Sequence, residues 1–163
     1  IRKGIVWEEW LDNFKEGLAA PGGKDKMLFD LTITGPGMFS IKDLFDLSLE
    51  LDVRIETKIM FAFHPDIIFS PFAWPKHILI RKIDELLEYI EPRATHKQST
   101  LINTLREMRN RPSFEEDYPE QFVQGKKNGK GFQDRLDEIR DEKITIADIY
   151  KADDELYEWW TTQ

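Results

Sequence analysis

With 163 residues, 40% of them hydrophobic and 12% aromatic, the chain has enough apolar material to bury about 70% of its unfolded surface, which excludes general disorder. The net charge of -8 argues against non-specific nucleic-acid binding, and no run approaches the roughly 20 apolar residues of a membrane span. The chain has no cysteine, so a disulfide framework, a thiolate nucleophile, a zinc ribbon and a cysteine-held iron–sulfur cluster are excluded within it. His64, His77 and His96 are the only histidines and no pair has helix-ligand spacing, which argues against a histidine metal site. No signal-peptide pattern precedes Trp7, so a cytoplasmic location is expected, and a start at Ile1 rather than Met suggests an upstream portion.

Trp7, Trp10, Leu11, Phe14 and Leu18 recur at helical spacing and predict a short amphipathic helix stopped by Ala20-Pro21-Gly22-Gly23. Met27 to Thr34 reads as a strand, with Leu28 and Asp30 on one face and Phe29, Leu31 and Ile33 on the other. Gly35-Pro36-Gly37 ends it. A helix is expected from Ser40 to about Asp52, Ser40 and Asp43 having capping-box-like spacing. Val53 to Phe63 is a second strand-like run closed by His64-Pro65. Ile55, Thr57, Ile59, Phe61 and Phe63 share one face, and Arg54, Glu56, Lys58, Met60 and Ala62 the other. Two strands joined by a helix make a βαβ unit, the building block of parallel sheets.

Pro65 to Pro75 reads as a loop rich in bulky apolar residues that must cover something or dock a partner. A helix follows to Pro92 and another runs from about Gln98 to Asn110. Arg111 to Lys130 reads as irregular, with Gly125 to Lys130 an exposed basic loop. Short helices are expected around Phe132–Glu142 and Ala147–Trp160, the latter with a capping-box-like start at Thr145 and Asp148. The acidic runs Glu115-Glu116-Asp117 and Asp153-Asp154-Glu155 read as solvated surface, and Trp159-Trp160 as packing. Lys58 invites two readings: a lumenal ligand for a substrate carboxylate, or an exposed side chain paired with Glu56.

Three segments together resemble the C-terminal part of a radical SAM enzyme of the SPASM/twitch type. They are Ile1-Arg2-Lys3-Gly4 with Trp7-Glu8-Glu9-Trp10; Leu31-Thr32-Ile33-Thr34 with Met38 to Leu44; and Ile59 to Pro75, with Pro65, Ser70-Pro71 and Trp74-Pro75. The resemblance covers roughly the first 90 residues. It implies an α/β fold: a partial (β/α) barrel fragment over residues 1–92, followed by a mainly helical, twitch-like region over 93–163.

By the same resemblance, the whole protein would hold a [4Fe–4S] cluster and S-adenosylmethionine, and would abstract a substrate hydrogen through a 5′-deoxyadenosyl radical. The cluster cysteines would lie in the missing N-terminal half of the barrel. This chain ligates no cluster, carries no auxiliary-cluster cysteines and would be inactive alone. Cofactor contacts are expected at strand ends: Thr34 and the Gly35 backbone toward the methionyl or ribose part, and Phe63, His64 and Pro65 around the adenine. The expected substrate is a small molecule or peptide, with no nucleic acid and no membrane partner. Two other readings remain open: a non-catalytic interaction module with Ile67 to Trp74 as its interface, and a piece of another α/β barrel, for which no phosphate-binding loop or paired acid and base is evident.

Overall fold

The computed structural model describes residues 6–61, 67–139 and 144–162. Helix α1 (Trp7–Ala19) and a single turn α2 (Gly23–Lys26) lead into strand β1 (Leu28–Ile33). A 3₁₀ turn, Pro36–Ser40, runs directly into α3 (Ile41–Glu50), which returns the chain to strand β2 (Arg54–Ile59). Two 3₁₀ turns, Ile67–Phe69 and Pro71–Ala73, precede α4 (Lys76–Ile90). A further 3₁₀ turn, His96–Gln98, opens α5 (Ser99–Asn110). The remaining described elements are helices: α6 (Phe114–Asp117), α7 (Pro119–Ile139), α8 (Ile146–Tyr150) and α9 (Asp154–Thr161).

The expected βαβ unit is present. β1 and β2 pair in parallel, from Leu28 opposite Arg54 to Ile33 opposite Ile59. Among the described residues the sheet stops at these two strands, so the architecture is a mainly helical α/β one and no arc of a barrel is seen.

One sheet face is apolar and helix-covered. Phe29, Ile33 and Ile55 are buried on it. Trp10 and Phe14 of α1 lie on Phe29 with ring centroids 6.3 and 5.0 Å away, while α3 and α5 pack on β2. Thr57, the one hydroxyl on this face of β2, is satisfied by Thr104 Oγ1 at 2.6 Å on α5. The opposite face carries Asp30, Thr32, Arg54 and Lys58, all exposed, with Leu28 and Glu56 half-buried. Strict alternation along both strands produces this division. The core continues past residue 92, through Leu101, Leu105 and Met108 to Tyr150, Leu156 and Trp160.

Several local expectations change. Ser40 makes no side-chain cap, because the preceding 3₁₀ turn leaves it at φ -99°, ψ 1° instead of the extended conformation a capping residue uses. β2 ends at Ile59, short of Phe63. The segment read as irregular with a basic loop is mostly helix α7. Its buried stripe is Phe122, Gly125, Gly129 and Gln133, and the helix lies against Ile67–Phe69. Gly125 and Gly129, read as part of an exposed loop, are instead buried in the helix, where tertiary packing outweighs their poor propensity. The final helix is broken in two. Thr145 and Asp148 form the expected capping box of α8, and Asp153 restarts the chain as α9 by accepting the Leu156 N–H. Asp153 is therefore not solvated surface: its carboxylate also meets Arg81 at 2.9 Å and its side chain is 8% exposed.

Candidate functional site

The C-terminal ends of β1 and β2 lie side by side, because the Met60 N–H donates to the Ile33 carbonyl at 3.0 Å. Of the residues expected here, Thr34 and Gly35 are described, while Phe63, His64 and Pro65 lie outside the described residues. Thr34 is half-buried. Its Oγ1 accepts the Gly37 N–H at 3.0 Å and its carbonyl accepts the Met38 N–H at 3.1 Å, so it closes the turn into the 3₁₀ segment. Gly37 fits this turn because a Cβ there would stand 2.7 Å from Thr34 Oγ1. The Thr34 hydroxyl proton keeps its capacity to donate.

Gly35 is buried and engaged on both sides. Its N–H donates to the Phe69 carbonyl at 2.6 Å and its carbonyl accepts the Met38 N–H at 3.1 Å. Its φ of -51° suits any residue, so space is what requires glycine. A Cβ would lie 2.8 Å from Trp74 Nε1 and 2.9 Å from the Tyr150 hydroxyl oxygen. Those two atoms bond each other: the indole N–H donates to the phenol oxygen at 3.1 Å, with the rings nearly perpendicular at 89°. Burial pushes the Tyr150 hydroxyl well above its ordinary range, a change the Trp74 bond only partly opposes, so it stays neutral at physiological pH. No local pattern signals this pair, whose members are 76 positions apart.

The apolar segment weighed as a partner interface does not present its side chains. Ile67, Ile68, Phe72, Ala73 and Trp74 are all 0–1% exposed, and what they cover is the interior of the protein.

Two concavities flank this region. Beyond β2, Phe61 is 48% exposed, stacks on Phe72 at 5.2 Å and meets the Arg111 guanidinium at 5.4 Å. The cleft there holds about 90 Å³, well below the roughly 300 Å³ at which small-molecule pockets begin. An open groove of about 420 Å³ lies between α7 and α8–α9, with Asp134, Asp137 and Glu138 above Trp160. Two of these carboxylates are already bonded, Asp134 to Lys130 and Asp137 to Gln133. Among the described residues no three histidine, aspartate or glutamate side chains gather as a metal-binding group.

On the uncovered sheet face, Lys58 pairs with Asp30 across the strands and Arg54 with Glu56 along β2. The Glu56–Lys58 pairing suggested by the sequence gives way to the diagonal partner.

Comparisons with family models, curated proteins and solved structures found no match to this chain.

Proposed function

We propose that the chain is the C-terminal part of a radical SAM enzyme of the SPASM/twitch type and supplies one side of its S-adenosylmethionine and substrate site. The observation that carries the reading is the bare sheet. Parallel strands are ordinarily buried on both faces, yet β1 and β2 are covered on one face and polar on the other. In this reading further strands, from an N-terminal half of the same protein, continue the sheet into a barrel. The face of Asp30, Thr32, Arg54, Glu56 and Lys58 then looks into the lumen. The apolar side of α1, where Trp7 is 53% exposed, packs against what those strands carry.

The fit to the implied groups differs. For the [4Fe–4S] cluster this chain has no cysteine to offer and ligates nothing. For S-adenosylmethionine the end of β1 offers the Thr34 hydroxyl proton, in the turn that Gly35 continues, and in this reading the adenine falls to Phe63, His64 and Pro65, which lie outside the described residues. When bound with its cluster, S-adenosylmethionine supplies a radical that removes hydrogen from a substrate. The part left to this chain is to bind and orient. Paired charges of both signs in the lumen suit a polar substrate, small or peptidic.

Reading the gene upstream of the Ile1 codon and expressing the whole frame tests this. A Cys-x-x-x-Cys-x-x-Cys segment, together with S-adenosylmethionine binding that Thr34→Val weakens about tenfold, would support it. A whole protein that binds no S-adenosylmethionine would end it.

A further inference from the structure

The turn that carries Thr34 and Gly35 is gripped from the other end of the chain. Trp74 sits two residues before the start of α4, and Tyr150 closes α8. Phe39, in the turn itself, lies 6.0 Å from both rings. Trp160 of α9 meets Tyr150 edge-on at 5.5 Å. α9 in turn is fastened to α4, where Arg81 binds Asp153 and Glu155 and His77 binds Glu155. The contacts therefore form a closed ring: the start of α4, Trp74, Tyr150, α8, α9 and back to α4. Gly35 lies against the Trp74–Tyr150 bond with no room for a methyl group.

We infer that Tyr150 is a positioning residue for the strand-end site, setting the place of Gly35 and so the orientation of Thr34. The C-terminal helices are thus built into the site and are not an appendage to it. An ordinary core tyrosine fills space with its ring. Here the single hydroxyl oxygen accepts a hydrogen bond from the indole N–H and stands against the Gly35 backbone. Deleting that oxygen while keeping the ring leaves a buried indole N–H without its acceptor and opens a gap beside Gly35. The inference rests on the S-adenosylmethionine reading only for the identity of the ligand.

Amide hydrogen exchange in this chain tests it. Tyr150→Phe is expected to speed exchange at Gly35 and Met38 about fivefold relative to Leu105 in α5, a local opening of the turn. A uniform change across all three amides, or none at Gly35, overturns the inference. If Tyr150→Phe does not fold, Trp74→Phe removes the other half of the bond and must give the same local pattern. A second arm uses Gly35→Ala. Its destabilisation is expected to shrink when combined with Tyr150→Phe, because one of the two atoms facing the new methyl is gone; strict additivity counts against the clamp.

Ligand identity is scored separately, with S-adenosylmethionine titrated into the protein expressed from its whole frame. Absence of binding to the wild type ends the proposed function, and the exchange results still decide the clamp. Where the wild type binds, Tyr150→Phe must weaken binding about threefold or more. Unchanged affinity with a loosened turn overturns the positioning role.

Discussion

Lys58 reaches diagonally across the two strands to Asp30, its Nζ 2.7 Å from Oδ2, on the sheet face that no helix covers among the described residues. In register, Lys58 stands opposite Thr32 and Asp30 opposite Glu56, so the pair spans the sheet. Both side chains are about 60% exposed, and water screens such a pair strongly. Lys58→Met and Asp30→Asn are therefore expected to move the melting temperature of this chain by less than about 3 °C. A fall beyond about 5 °C would mean that the pair holds the fold together. Near-neutral substitutions would leave these charges available for a role toward a ligand or a covering element.

The opposite end of the sheet is built differently. Gln98 is 1% exposed, and its amide donates to Ser48 Oγ and to the Val53 carbonyl, both at 3.2 Å. Its side-chain oxygen accepts from the Thr95 N–H and hydroxyl. The Ser48 hydroxyl in turn donates to the Phe45 carbonyl at 2.7 Å. Gln98→Leu takes the Gln98 partner from the Val53 carbonyl and from the Thr95 N–H, in an interior where unmet groups cost about 1–3 kcal/mol each. A drop of about 5–10 °C in melting temperature is expected, with Gly35 exchange unchanged relative to neighbouring amides. A drop under about 2 °C would mean that the network is not load-sharing.

Much of the fold was legible because it is local. Alternation gave the faces of Phe29–Ile33 and Ile55–Ile59, helical spacing gave the stripe from Trp10 to Phe14, and Thr145 with Asp148 announced a cap. What escaped was non-local. Glycines at 125 and 129 with Asn128 look like a loop until a neighbour is known to press against them. The Trp74–Tyr150 bond has no signature within either segment. Thr34 and Gly35 were singled out because strand ends are where α/β folds place ligands, but the engagement of both Gly35 backbone groups depends on Phe69 and Met38. Asp153 read as surface because its partner Arg81 is on another helix.

Three carboxylates predict how stability responds to acid. Asp148 is held below its ordinary value by Lys151 and by the Thr145 N–H and hydroxyl, and Glu116 by the N–H and hydroxyl of Ser113. For Asp153 burial acts upward, but the Arg81 guanidinium and the Leu156 N–H more than offset it. Each folded-state value is lower than the unfolded one. The stabilisation is therefore complete above the ordinary values of 3.8 for Asp and 4.5 for Glu, and is lost as pH falls through the folded values. Melting temperature should be level from about pH 7 to 5 with respect to these groups and then decline gradually below about pH 4, since water screens the exposed ones. In Asp153→Asn the decline should be shallower. An identical acid limb in that variant would show that Asp153 contributes no linkage.

Two glycines of α7, two residues apart, should respond in opposite directions. Gly129 belongs to the buried stripe, on the helix that lies against Ile67–Phe69. Gly129→Leu forces a side chain into that contact and should cost about 1–3 kcal/mol, with loosening of the segment that bonds Gly35. Gly131 is exposed, and a Cβ placed there meets nothing within 4 Å. Gly131→Ala gains helix propensity and reduces the freedom of the unfolded chain, worth about 0.5–1 kcal/mol, or roughly 1–4 °C in melting temperature. The contrast separates packing from propensity: were α7 a frayed surface helix, both substitutions would stabilise it. Destabilisation by Gly129→Leu with stabilisation by Gly131→Ala would place the helix firmly on the segment behind the strand-end turn.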